Sequence, residues 1–114
     1  MFNWLRRLFP CRKKMFCINE GGVAEWIVAK NRKQALKFYS ELVGEDVIKE
    51  TYEDVKQSDP DLTYKEFLED YIREESPDKL FPLYLENGEK VTKTVREHLK
   101  DVLIVPNYFG CSDY

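Results

Sequence analysis

Apolar and polar positions alternate with a period of two on both sides of a glycine pair near the start of the chain. The alternation covers residues 15–20 and 23–29, with Gly21 and Gly22 between them. Side chains of a strand point alternately to two faces, and a short glycine turn joins antiparallel strands. The pattern therefore predicts a β-hairpin whose second strand has Ala24, Trp26 and Val28 on one face.

Helical spacing of apolar residues takes over after this hairpin. Asn31 is a typical N-cap, and the apolar positions that follow recur every three or four residues up to Gly44, which predicts a helix over residues 32–43. Thr63 and Glu66 form a capping box before a second amphipathic stripe, which predicts a helix that stops before Ser76-Pro77. The segment between these helices, 45–62, has a weaker pattern and predicts a short helix.

The last third of the chain predicts a second hairpin and a further helix. Residues 80–85 and 89–92 flank Asn87-Gly88, a pair typical of a type I′ turn. Thr94 and Glu97 repeat the capping box, and a final strand is expected at 103–105. The order is roughly ββα(α)αββα(β). We therefore expect an α+β fold: a small antiparallel sheet built from two hairpins, with three to four helices packed on one face.

Charge is unevenly distributed along the chain, although the net charge is only −3. Residues 1–14 carry five bases and no acid, whereas residues 41–79 carry fourteen acids and five bases, a net of −9. The first clear strand begins near Met15. We therefore expect a basic amphipathic N-terminal extension at 1–14 and a single α+β domain at 15–114.

The residues most suited to catalysis or metal binding are few. The chain has one histidine, His98, which has no nucleophile or metal-ligand neighbour at a suitable spacing, so we expect a surface or partly satisfied histidine. A zinc site formed by Cys11, Cys17, His98 and Cys111 is conceivable by ligand type, but paired ligands two to four residues apart are missing. We expect no catalytic residues, no metal and no cofactor. An odd number of cysteines without a secretory signal favours a cytoplasmic location.

Acidic residues crowd the helix predicted after Thr63. Glu66 and Asp70 share a helix face and could hold Mg²⁺, although pairs such as Lys65 with Glu69 are typical of an ordinary solvated helix. The same acids could instead form a negative surface that occupies a basic groove on a partner. The candidate partner-binding residues, called the acidic set below, are Glu66, Glu69, Asp70, Glu74 and Glu75.

The basic start of the chain offers an alternative binding arm. Aromatic and leucine residues alternate there with bases, a composition that suits an anionic membrane surface, nucleic acid or a partner groove, or else packing on the sheet. The candidate residues of this arm are Trp4, Arg6, Arg7, Arg12, Lys13 and Lys14.

Several short sequences resemble those of small, mostly uncharacterised phage and prophage proteins. They are residues 25–29 followed by Ala35 and Tyr39, then Gly44, residues 93–95 and the closing residues 112–114. The resemblance covers residues 15–114 and implies an accessory protein that binds and blocks host machinery, including defence nucleases. It implies no role for any individual residue.

The charge pattern predicts a non-enzymatic interaction protein that binds a basic surface of a host protein through an acidic surface around residues 45–78, with the acidic set as the contacts to test first. The resemblance implies that it is a small inhibitor from a phage or another mobile element. The alternative is a nucleic-acid or membrane-surface binder that uses the basic arm, and a small enzyme is a more remote alternative. The oligomeric state is left open by the sequence.

Overall fold

Six strands and four helices make up the part of the chain that the computed structural model describes, residues 13–20 and 22–111. They follow one another as β1 Lys14–Glu20, β2 Val23–Ala29, α1 Arg32–Val43, α2 Glu45–Ser58, α3 Tyr64–Tyr71, β3 Ile72–Glu74, β4 Leu80–Tyr84, β5 Lys90–Thr94, α4 Val95–Lys100 and β6 Asn107–Cys111. The predicted α+β class is confirmed.

The main sheet is antiparallel and has the strand order β3-β1-β2-β6. The predicted first hairpin forms its centre, with Phe16 opposite both Ile27 on β2 and Glu74 on β3. A register shift between Trp26 and Ile27 marks an irregularity where β6 joins β2. Both central strands are therefore paired along both of their edges.

Both faces of this sheet are buried, because β1 and β2 carry apolar side chains on each side. One face packs against α1, α2 and α3. The other face packs against the β4–β5 hairpin and α4. The buried sheet residues on the first face are Phe16, Ile18, Ile27, Ala29 and Ile72, and those on the second face are Met15 and Val28.

This arrangement corrects the sequence prediction in two details. The second hairpin does not extend the main sheet but forms a separate two-stranded sheet. The helices do not all lie on one face, because α4 contributes Val95 and Leu99 to the second core. The physical reason is that Met15 and Val28 place apolar side chains on the face opposite α1–α3, so this face also needs a cover. Both side chains are fully buried in the structure.

Local predictions held best where a cap defines the start of a helix. Helix α1 has its predicted bounds, and both capping boxes are present, with Thr63 accepting from Glu66 N and Thr94 accepting from Glu97 N. Helix α2 is longer than the predicted short helix. Gly88 has a positive φ but Asn87 does not, so the predicted type I′ turn is wrong; Gly88 N instead donates to Leu85 O at 2.9 Å.

Two predicted boundaries were wrong because a strand competes with the local pattern. Helix α3 ends at Tyr71, and Ile72 begins β3 opposite Ile18, so sheet pairing overrides the helical stripe. The strand expected at 103–105 is absent: Leu103 and Ile104 are exposed, and the strand lies instead at β6.

The basic start of the chain enters the fold at β1. Lys14 is the first residue of β1, and Lys13 Nζ donates to Val102 O at 2.6 Å. The remaining residues of the alternative arm, Trp4, Arg6, Arg7 and Arg12, lie outside the described residues. None of the helices that the structure describes has the length and apolar character needed to cross a bilayer.

Candidate functional site: an acidic cleft between two helices and the sheet

Most residues of the acidic set make contacts within the chain. Glu66 belongs to a capping box: its Oε1 accepts from Thr63 N at 3.1 Å and from Thr63 Oγ1 at 2.9 Å. These hydrogen bonds hold the pKa of Glu66 below its ordinary value. Its carboxylate is therefore partly used to start α3.

Three other members of the set form ion pairs. Their partners are Arg73 for Asp70 at 2.8 Å, Lys14 for Glu74 at 3.5 Å and Lys79 for Glu75 at 2.6 Å. The Asp70 pair is well exposed, and such pairs stabilise a fold by at most about 1 kcal/mol. An incoming cation could therefore replace Arg73 at little cost. Glu69 is exposed on α3.

The negative surface is wider than the acidic set. Residues 45–78 contain thirteen acids and four bases, and every one of these acids except Glu75 is exposed. Both α2 and α3 thus present carboxylates to solvent. The acidic set supplies only part of this surface, from α3, β3 and the residue after β3.

A cleft of about 440 Å³ opens where α2, α3 and the end of β1 meet. We call it the acidic cleft. Carboxylates from three different elements line it: Glu20 from β1, Asp54 from α2 and Asp70 from α3. Its remaining lining residues are Asn19, Thr51, Val55, Leu62, Phe67 and Tyr71. The cleft therefore combines negative charge with an apolar and aromatic wall.

Hydrogen bonds hold one wall of the acidic cleft in place. Tyr71 OH donates to Glu20 Oε2, and Thr51 Oγ1 donates to Glu20 Oε1 at 2.6 Å. The same Thr51 hydroxyl lies 3.0 Å from Val47 O in its own helix, so its one hydrogen is shared between the two acceptors. The carboxylate of Glu20 consequently ties α2 and α3 to the sheet.

A second glutamate, Glu25 on β2, also accepts a hydrogen bond from a tyrosine. Tyr108 OH on β6 donates to Glu25 Oε1 at 3.2 Å. Burial first, and then the neighbouring carboxylates, raise the pKa values of Tyr39 and Tyr71 well above the ordinary tyrosine value. These phenols therefore stay protonated and act as hydrogen-bond donors.

Sequence reasoning found Asp70 but missed Glu20, Thr51 and Asp54. One feature could have indicated Glu20: it alternates with Phe16 and Ile18 and so lies on the buried face of β1. A carboxylate on a buried face needs hydrogen-bond partners. The sequence holds no comparable indication that Asp54 would meet Asp70 across the cleft.

His98 and the described cysteines lie apart from this cleft. His98 is buried, its Nε2 is 2.8 Å from Phe81 O, and its ring contacts Phe81 and Phe109. Of the two alternatives that the sequence left open, a surface or a partly satisfied histidine, the structure shows the second. Burial raises the pKa of the Cys17 thiol.

Within 13–20 and 22–111, no three histidine, cysteine or carboxylate side chains come together in a way that could hold a metal ion. This includes the carboxylates of the acidic cleft.

Comparison of the chain with protein-family models, with curated proteins and with solved structures gave no match.

Proposed function

We propose that this protein is a non-enzymatic interaction protein that binds a cationic segment of a partner protein in the acidic cleft. The observation that carries the proposal is the convergence of Glu20, Asp54 and Asp70 on one cleft with the aromatic wall of Phe67 and Tyr71. An arginine or lysine side chain needs both features, because its stem packs on apolar surface while its head pairs with carboxylates.

The surroundings of the cleft favour the same kind of partner. The exposed acids of α2 and α3 would attract a basic surface over a distance of about 8 to 10 Å at moderate ionic strength. Such attraction increases the association rate and selects against acidic partners. Within the acidic set, this assigns a direct role to Asp70 and an attractive, longer-range role to the exposed Glu69.

The biological setting is part of the same proposal. A small protein from a phage or another mobile element, acting as an inhibitor of a host protein with a basic surface, would use an acidic cleft of this kind. Blocking a basic groove requires binding alone, so the proposal needs no catalytic residue and no cofactor.

Site-directed photo-crosslinking tests where the partner binds. A photoreactive amino acid would replace Val55, which lines the acidic cleft and is 42% exposed. The matched control is the same replacement at Leu85, which is also 42% exposed but lies on the β4–β5 loop. In extract of the source organism, we expect one protein to crosslink through position 55 and not through position 85.

The crosslinked site on the partner then decides the chemistry. Mass spectrometry should place it beside arginine or lysine residues of the partner. Equal crosslinking from both positions, or attachment to a neutral or acidic surface, would contradict the proposed function.

A further inference from the structure

A second cleft, of opposite charge, lies between α1, α2 and the start of α3. It has a volume of about 450 Å³, and we call it the lysine cleft. Its polar lining comes from Lys33 and Lys37 on α1 and from Lys49 on α2, with Ser40 and one acid, Glu45. Leu36, Ile48 and Tyr64 complete it.

The lysines of this cleft make no ion pair with any residue in 13–20 or 22–111. Elsewhere five bases are paired with carboxylates: Lys14, Arg73, Lys79, Lys93 and Arg96. Lys90 and Lys100 likewise form no ion pair within the described residues. Residues 30–37 also contain four bases and no acid, so positive charge continues from the cleft along α1.

An aromatic ring stands at the side of the lysine cleft in a fixed position. Tyr64 is 39% exposed, and its ring contacts Tyr52 edge-on and stacks on Phe67, with centroids 5.2 and 6.0 Å away. A ring held in this way can accept another planar group without first losing its own freedom. Lys33 and Lys37 are one helical turn apart, so both ammonium groups can reach successive anionic groups.

From these features we infer that the lysine cleft binds single-stranded nucleic acid. Grooves that bind single strands combine cations along the phosphate backbone with an aromatic side chain for base stacking, and this cleft supplies both. A membrane surface would instead require a convex apolar face, whereas Leu36 and Ile48 lie half-buried and buried in a concave one. An acidic peptide would leave the ring of Tyr64 without a planar partner.

The lysine cleft is lined by the first part of α2, Glu45, Ile48 and Lys49, and the acidic cleft by Thr51, Asp54 and Val55 further along the helix. No residue lines both clefts, although Tyr64 of the lysine cleft stacks on Phe67 of the acidic cleft. Together they would suit a protein that sits on a complex of a basic protein with its nucleic acid.

The test is fluorescence anisotropy of the full chain with a labelled single-stranded oligonucleotide of about 12 residues, as RNA and as DNA. We expect the logarithm of the association constant to fall linearly with the logarithm of the salt concentration, with a slope of about −2, because three lysines each release counterions. The double variant Lys33→Gln, Lys37→Gln should lose at least about tenfold in affinity, and its salt slope should be shallower. The matched control Lys90→Gln, Lys100→Gln removes the same charge from β5 and α4 and should change affinity less than about twofold.

Two further variants separate stacking from charge and the cleft from the basic arm. Tyr64→Ala should weaken binding without changing the salt slope, whereas Tyr64→Phe, which keeps the ring, should bind like the unaltered chain. Circular dichroism shows whether each variant is folded. Neutralising Arg6, Arg7 and Arg12 to Gln should leave most of the affinity.

Several results would overturn the inference. They are no oligonucleotide binding by the unaltered chain, equal losses in the cleft and control variants, or complete loss on neutralising Arg6, Arg7 and Arg12. Binding of anionic phospholipid vesicles, but not of oligonucleotide, through Lys33 and Lys37 would also overturn it.

Discussion

The phenol of Tyr71 donates a hydrogen bond to the carboxylate of Glu20 and thereby joins the end of α3 to the end of β1. Tyr71 is 4% exposed, so the bond is shielded from water on one side, while Glu20 still lines the acidic cleft on the other. One contact therefore stabilises the fold and positions a carboxylate of the candidate site.

Replacement of this phenol should destabilise the protein. Tyr71→Phe keeps the ring and removes the donor, and hydrogen bonds to charged groups contribute about 1.5–3 kcal/mol. We expect the free energy of unfolding in urea to fall by about that amount. The control is Tyr84→Phe, which removes an exposed phenol and should change stability by less than about 0.5 kcal/mol. Equal effects of the two variants would show that the Tyr71 bond is not stabilising.

Alkaline pH should weaken the fold through the same network. The pKa values of Tyr39, Tyr71 and Tyr108 are raised in the folded state, chiefly by burial. Their contribution to stability is fully present below the unfolded tyrosine pKa of about 10 and is lost as pH rises above it, because the unfolded chain releases protons that the native chain keeps.

Urea unfolding at several pH values between about 8 and 11 measures this loss. Each such tyrosine adds up to about 1.4 kcal/mol per pH unit to the slope. Tyr71→Phe should make the fall of the unfolding free energy with pH shallower by the contribution of one tyrosine, up to about 1.4 kcal/mol per pH unit. A slope that is unchanged in this variant would show that Tyr71 titrates normally.

Gly44 should be intolerant of any side chain. It joins α1 to α2 with φ 99° and ψ 140°, and its N–H donates to Ser40 O at 2.9 Å. A Cβ at this position meets no atom within 4 Å, so the cost arises from the backbone conformation alone. We expect Gly44→Ala to lower the free energy of unfolding by about 1–3 kcal/mol, as measured by thermal unfolding. Glu45→Ala, the matched exposed neighbour, should cost less than about 0.5 kcal/mol.

Sequence patterns predicted most of the local structure. Asn31, Thr63 and Thr94 mark helix starts because their side chains accept from backbone N–H groups a few residues on, which is a local interaction. The end of α3 was predicted wrongly because Ile72 continues the apolar stripe of the helix and yet pairs with Ile18, a residue 54 positions earlier. Competition of that kind depends on tertiary structure and leaves no mark in the local pattern.

The candidate site was predicted less well than the fold. The acidic set was chosen from one helix and the residues after it, and three of its members are instead paired with nearby bases. The acidic cleft draws Glu20, Asp54 and Asp70 from segments that are far apart in the chain. Only the packing of α2 and α3 against the sheet brings them together.

The central claim is that the acidic cleft, rather than net charge, binds a cationic segment. Isothermal titration calorimetry with an oligo-arginine peptide tests it most directly, using the unaltered chain, Asp54→Asn with Asp70→Asn, and the control Glu86→Gln with Glu89→Gln, exposed acids on the β4–β5 loop. All variants should keep the circular dichroism spectrum of the unaltered chain.

We predict that the cleft variant loses at least about tenfold in affinity, equivalent to about 1.4 kcal/mol, while the control loses less than about twofold. Equal losses in the two variants would mean that the peptide responds to overall charge alone, and would contradict the account.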